Sequence, residues 1–444
     1  MSISLLPEEL LVMIFDFATL NDRVDLSTPK RDNATLRSLG LVSNRFHRIV
    51  QPLLFEEISF IYSGDQQSQV SPIERTRQLH ALLKHDHECK LRDICLAFYV
   101  DIDDYGQDNQ SDYQIVLDLL SWFTRLRSLV IVGGFFLNAP DSVRALTLET
   151  INRAKDLGQL RTLNLEGHMW DGRGGITLAE VMKSVDSQSL DTLEVTTIGL
   201  SDLPAIQEMV DIDKLRTASF TKLRLIACKD DPEAIAALIH WPKQLINFTI
   251  NTSGNWGPGM SLQDMAACLS IHKDTLTTIS IDLLGRPHGL TFDTRKFPHL
   301  DELWLSRTQI CEDPWGQEFE WDPVHADLLL GPSLRTFGLV FGVMGHTVIN
   351  NWGSLEEEWI RQLAKVACER RAVLSTIAIT FNPSDPHPNP DVGVYRDGKY
   401  EYPWDRMDKL AKEIKEYGLD LYYSTPTWTK EEWLSLCGDQ ISNG

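Results

Sequence analysis

One six-residue pattern, Leu-x-x-Leu-x-Leu with conservative apolar replacements, recurs about ten times along the chain. It reads LRDICL from Leu91, LRSLVI from Leu126, LRTLNL from Leu160, LDTLEV from Leu190 and FTKLRL from Phe220. It continues as LINFTI from Leu245, LTTISI from Leu276, LDELWL from Leu300, LRTFGL from Leu334 and LSTIAI from Leu374. The spacings run from 24 to 40 residues. Self-similarity at such a period marks stacked units, each of which buries its apolar face only against its neighbours. The natural product of such a stack is an extended binding surface rather than a catalytic pocket.

Between the hexamers lie stretches of helical periodicity. Residues 111–125, 177–187, 231–241, 261–275 and 356–371 carry apolar residues at i, i+3, i+4 and i+7, and several open on Ser, Thr or Asp caps. The predicted unit is therefore strand, loop, helix, loop. Side chains alternate along a strand. The leucines of each hexamer thus face the helices, and the residues between them face outward. The outward columns begin Thr162, Asn164, Glu166 and Thr192, Glu194, Thr196, and end at Thr376, Ala378, Thr380. Strand propensity alone accounts for the threonines. The charged and aromatic positions are the candidate target-binding residues: Glu166, Glu194, Lys222, Arg224, Asp282, Glu302 and Trp304. Exposed Arg and aromatic residues are enriched among binding hot spots; the plain alternative is an ordinary solvated face. Two insertions, 306–327 and 382–405, interrupt the rhythm. Trp315, Trp321, Tyr400 and Trp404 argue against disorder there. Packing on the last repeats and gripping a ligand are both open readings.

The first sixty residues follow a different rule. A helix is predicted over 4–20, with Pro7 at its start and Glu8 and Glu9 in its first turn. Leu6, Leu10, Met13, Ile14 and Phe17 form an apolar stripe on it. A second helix is expected from about Ala34 to Val42. Ser43 caps a third, which carries Phe46, Ile49 and Val50 and ends near Pro52. Three short helices make a marginal core. Such a unit leans on something else, either as a cap for the array or as a docking module for a partner.

LPEELLVMIF at 6–15, followed by LRSLGLVSNRFHRIVQPLLFEEI at 36–58, resembles an F-box of the kind common in fungal proteins. The likeness rests on Leu6, Pro7, Glu9, Leu10, Leu11, Ile14, Leu41, Val42, Ser43, Arg45, Phe46, Pro52, Leu53, Leu54 and Phe55. It covers roughly residues 4–60. It implies docking onto the Skp-type adaptor of a cullin-RING (SCF-type) ubiquitin ligase through Leu6, Pro7, Leu10, Leu11, Ile14, Leu41 and Phe46. The strand–helix array over roughly residues 85–425 is similar to leucine-rich repeats of the long, ribonuclease-inhibitor-like kind.

Charge and motifs narrow the function classes. The chain has 63 Asp and Glu against 42 Lys and Arg, a net charge of −21. Nucleic-acid binding rests on Lys and Arg neutralising phosphates, and the balance disfavours both nucleic acid and anionic membranes. Seven scattered cysteines with no Cys-x-x-Cys pair imply neither a disulfide framework nor a zinc finger. Glu8, Glu9 and Asp16 interrupt the N-terminal apolar stretch, so neither a signal peptide nor a membrane anchor is expected. DGRGG at 171–175 lacks the spacing of a phosphate loop. The acidic stretch 101–112 has Tyr105, not a carboxylate, at the fifth position of a calcium loop and lacks the bidentate Glu at its twelfth. His80, His85, His87 and Cys89 do not have the spacing of a helical zinc motif. Glu356, Glu357 and Glu358 read as a favourable helix first turn.

The expected fold is α/β. A three-helix F-box-like unit (1–60) and a linking or capping segment (61–88) precede an open leucine-rich-repeat-like solenoid (89–425). In that horseshoe a parallel sheet lines the concave face and helices lie outside. A C-terminal tail or cap (426–444) completes it. The expected function is a non-enzymatic substrate receptor of a ubiquitin ligase, holding the adaptor at one end and a target protein on the repeats. No catalytic residue, metal or cofactor is expected, and the compartment is the cytoplasm, the nucleus or both. The alternative is a non-ligase interaction scaffold. An enzyme on a closed α/β barrel is a third reading, but a barrel buries both faces of its strands, against the polar alternate positions.

Overall fold

The structure, a computed structural model, describes residues 6–19, 32–60, 72–86, 91–101, 110–132, 148, 152, 159–166, 177–185, 188–196, 214–228, 230–251, 259–282, 284, 289–311, 319–341, 352–383 and 401–441. The chain divides into two compact units. The first holds residues 1–168 and 184–190, the second residues 169–183 and 191–444.

The first unit opens with α1 (Glu8–Thr19), α2 (Asn33–Gly40) and α3 (Asn44–Glu56). β1 (Glu57–Phe60), α4 (Pro72–Lys84), β2 (Ala97–Asp101), α5 (Gln110–Trp122), β3 (Ser128–Val132) and β4 (Thr162–Glu166) follow. The four strands pair in parallel in chain order. The second unit carries β5 (Thr192–Thr196), β6 (Lys222–Ile226), β7 (Asn247–Asn251), β8 (Thr278–Ile281), β9 (Glu302–Ser306), β10 (Thr336–Phe341), β11 (Thr376–Phe381) and β12 (Asp420–Tyr423). These too pair in parallel in chain order. The predicted helices appear as α5, Leu178–Ser184, Pro232–His240, Leu262–Leu269 and Ser354–Glu369. Asp231 caps one, and a Ser261–Asp264 capping box opens another.

One backbone device repeats through the strands. The carbonyl of the residue before a strand accepts two N–H groups from the next repeat at eight places. Leu96 receives Arg127 and Ser128, Arg127 receives Arg161 and Thr162, and Asp191 receives Thr221 and Lys222. Thr221, Ile246, Thr277, Asp301 and Arg335 do the same for their successors. Each strand therefore enters the ladder at one register. The predicted alternation follows: Leu163, Leu165, Leu223, Leu225, Phe248, Ile250, Leu303 and Leu305 have no exposed surface, while Thr162, Asn164, Arg224, Thr249, Ser280 and Trp304 are half-buried. The alternation is cleanest in β4 and β6–β8; in β3, β10 and β11 the intervening positions Val130, Val132, Gly338 and Ala378 are buried as well.

Four expectations change. LRDICL is not a strand: residues 91–94 are a turn, and β2 begins at Ala97. The register Ala97↔Ser128 makes Cys95, Phe98 and Val100 the inward set, all fully buried. A Cys at the first apolar place hides that phase, because Leu91 fits the pattern better. Strands β1 and β12 were not expected either. Third, α3 does not stop near Pro52 but continues to Glu56, with Pro52 inside it. Proline deletes one N–H and crowds the preceding turn, yet Leu53, packed in the core, holds the helix together beyond it. Fourth, the segment boundaries shift. β1 follows α3 directly and pairs with β2, so the sheet starts at Glu57 rather than after 89. Within the linking or capping segment residues 72–84 are a helix, and the tail or cap carries the helix Lys430–Ile441, whose Trp433 is buried.

Candidate functional site

Two surfaces matter, one in each unit. In the first, α1–α3 close over Leu11, Phe15, Leu36, Phe46, Ile49, Val50 and Leu53. Phe15 and Phe46 meet edge-to-face at 4.9 Å. Arg45 donates to the Leu6 carbonyl at 2.6 Å, and Arg48 pairs with Glu8 at 2.7 Å, so α3 grips the chain entering α1. Ser43 caps α3 by accepting the Phe46 N–H at 3.1 Å. The turn that this cap ends leaves Leu41 and Val42 projecting, 88% and 65% exposed.

Helix α1 is apolar on two sides. Leu11 and Phe15 point inward, while Leu10, Met13, Ile14 and Phe17 point outward, Phe17 being 82% exposed. The stripe read from the sequence is thus the outer face, not the core face. Of the seven residues assigned to docking, Pro7, Leu10, Ile14 and Leu41 are exposed and Leu6 is half-buried. Leu11 and Phe46 lie inside, 0% and 6% exposed, so they support this face rather than form it. Met13, Phe17 and Val42 belong to the same exposed apolar set and were not assigned. Their signal was available: a helix apolar all round has more than one surface to cover.

In the second unit, six of the seven assigned target-binding residues lie on or beside one sheet face. Register places Glu194, Arg224, Thr249, Ser280, Trp304, Gly338, Ala378 and Tyr422 in one row across β5–β12. Arg224 pairs with Glu194 at 3.1 Å. Burial pushes the Glu194 carboxyl up by more than the Arg224 charge pulls it down. Trp304 donates its indole N–H to Glu302 at 3.3 Å. The indole lies flat over Gly338, where a methyl group would overlap its ring carbons. Only glycine at that point of β10 lets the ring lie down. Arg224 and Trp304 are three strands apart, about 14 Å at parallel spacing, so the face holds two separate polar pairs. Lys222 is exposed in the adjoining row.

Asp282 follows β8 and donates its N–H to the Ile250 carbonyl at 3.0 Å. Its carboxyl is half-buried, and burial pushes it up to about 6. Among the described residues no cation pairs with it. Glu166 belongs to the first unit, at the end of β4.

The insertions resolve toward packing wherever they are described. Phe319 and Trp321 lie 5.5 Å from Trp359, and Trp404 packs on Phe381 and Trp433. Trp315 and Tyr400 lie outside the described residues, as do His87, Cys89, Asp103, Tyr105 and the stretch 171–175. His80 stacks on Trp122 at 4.8 Å and bonds to Asp118. Among the described residues no group of three or more His, Cys, Asp or Glu side chains is placed to hold a metal, and no helix is long and apolar enough to cross a membrane. In comparison with known proteins, no family model and no curated protein matches the chain.

Proposed function

We propose that the chain is a non-enzymatic substrate receptor of a cullin-RING ubiquitin ligase of the SCF type. In this reading α1–α3 act as an F-box and dock the Skp-type adaptor. The face carrying Glu194, Lys222, Arg224, Asp282, Glu302 and Trp304 holds the target protein; Glu166 belongs to the first unit and is a separate candidate contact. The mechanism is tethering: holding target and ligase together raises their effective concentration, and the transfer chemistry belongs to other subunits.

One observation carries the reading. Leu10, Met13, Ile14, Phe17, Leu41 and Val42 are large apolar side chains standing exposed on one small helical unit. Covering each stabilises a complex by up to roughly 1.5–3 kcal/mol, and an exposed set of this kind marks an interaction site. A cap for the array, the scaffold alternative, would have no use for an outward apolar face.

The test is adaptor binding by the full chain and by Leu10→Asp. Leu10 is exposed, so the variant keeps the core and its circular dichroism. The wild type is expected to bind a purified Skp-type adaptor and the variant to lose at least about tenfold in affinity. A folded wild type that never binds the adaptor would leave the scaffold reading.

A further inference from the structure

The second unit ends on a strand with one side unpaired. β12 is bonded to β11, and among the described residues no strand follows it. Asp420 and Ser424 donate their N–H groups to the Ser375 and Ile379 carbonyls, at 2.9 and 3.0 Å. Alternate residues of a strand turn their main-chain groups to the same side, so Tyr422 faces β11 as well. Leu421 and Tyr423 turn theirs to the other edge. Two N–H donors and two carbonyl acceptors stand there, and among the described residues nothing bonds to them.

The side chains of β12 agree. Leu421 and Tyr423 pair in register with Ile377 and Ile379 of β11. The isoleucines are 0% and 2% exposed, whereas Leu421 and Tyr423 are only half-buried. Tyr422, on the opposite face, is 63% exposed. The last repeat does close its helical side: Trp433 of the helix Lys430–Ile441 is buried against Trp404, their rings 6.0 Å apart. It supplies a helix but no strand. Terminal repeats of soluble arrays present a polar outer face, and edge strands are commonly blunted by Lys or Pro. β12 reads Asp-Leu-Tyr-Tyr and contains neither. Tyr417 before it and Leu434 after it are exposed too.

Main-chain donors and acceptors in alternation are matched by another extended polypeptide, which repeats the same groups at about 3.3 Å per residue. A second copy is the disfavoured occupant, because it would bring a second net charge of −21 against the first. The same charge favours a basic segment. We propose that the free edge of β12 binds an extended, basic segment of a partner protein, which adds as a further strand. The N–H and C=O groups of Leu421 and Tyr423 hold its main chain. Its apolar residues cover those two side chains, and an aromatic or β-branched residue lies beside Tyr422. The inference goes beyond the receptor reading and does not depend on it.

Fluorescence anisotropy on the full chain tests it, with two labelled pools of short peptides in which Val, Ile or Tyr alternates with Thr or Lys. One pool has free amides; the other has the same side chains with every amide N-methylated. The free-amide pool is expected to bind at least about tenfold more tightly. Tyr423→Pro should remove most of that preference and Tyr423→Phe should keep it. The Tyr423 N–H faces away from β11, so proline there leaves the existing ladder intact. Hydrogen exchange of the wild type, read at single amides, needs no variant. Leu421 and Tyr423 should exchange fast in the chain alone and slow at least about tenfold when the free-amide pool is added. Tyr422, already bonded to β11, should change little. Equal binding of the two pools, or no added protection at 421 and 423, overturns the proposal. So does protection that rises with the concentration of the chain alone, together with a dimer in sedimentation, which would make a second copy the occupant.

Discussion

At the scale of single residues, the leucine alternation decides almost everything inside the strands, and its exceptions locate chemistry. Asp282 is such an exception: a carboxylate placed where burial holds its proton on to about pH 6, against an ordinary value of 3.8. Between those values the folded chain binds more protons here than the unfolded chain does. Its contribution to stability is therefore full below pH 3.8 and lost as pH rises toward 6. Asp282→Asn removes that loss. The variant should be more stable than wild type at pH 7, by at most about 3 kcal/mol, and no more stable at pH 4. Urea midpoints at the two pH values check this, and an equal offset at both would show that titration is not the cause. A sequence reveals which side of a strand Asp282 takes, but not how dry that spot is. Dryness depends on how the adjoining repeats close around it, which no local pattern states. Perturbed carboxylates of this sort gather at functional positions, which is why Asp282 stays in the proposed target-binding set.

At the scale of elements, helices and strands with strong periodicity were legible, and phase was not wherever an apolar decoy competed. LRDICL outscored the true β2 register because Leu91 is a better match than Cys95, although only Cys95 is fully buried. The three glutamates opening the Ser354–Glu369 helix show a second limit. They suit a helix N-terminus, and Glu356 does accept the Gly353 N–H at 2.8 Å. Their larger role is long-range. Glu356 takes the Arg307 guanidinium at 2.6 Å with both side chains buried. Glu357 takes Arg406 at 2.6 Å and Arg361 at 3.3 Å, and Arg361 also pairs with Glu413 at 2.6 Å. No local pattern links Arg307 to a residue 49 positions away. Removing one partner of a buried pair strands the other charge, at about 3–5 kcal/mol. Glu356→Gln should therefore lower the unfolding free energy by that amount in urea denaturation. Arg307→Met together with Glu356→Leu should recover much of the loss, since no charge is then left buried. A loss under about 0.5 kcal/mol for Glu356→Gln would mean that the pair is not as dry as its geometry implies.

At the scale of the whole molecule, composition and surface have to be read together. Seven large apolar side chains stand exposed on α1 and the turn after α2 (Leu10, Val12, Met13, Ile14, Phe17, Leu41 and Val42), and the chain also carries a net charge of −21 with an isoelectric point near 5.0. Charge far from zero keeps copies apart, which lets a protein display an apolar docking face without self-association. Net charge says nothing of placement: Arg127 and Arg161 are 34 residues apart, and only parallel stacking of β3 and β4 makes them neighbours. If charge is what protects the docking face, the protection fails as the carboxylates take up protons. Light scattering should then rise as pH falls from 7.5 toward 5. A Met13→Ser, Phe17→Ser variant should scatter markedly less at pH 5 while matching wild type at pH 7.5. Both residues lie outside the core of the helical unit, so the substitutions remove apolar surface without opening a cavity. Equal scattering by variant and wild type at pH 5 would place the association elsewhere on the molecule. It would also remove the reason for regarding the −21 charge as the counterpart of this exposed face.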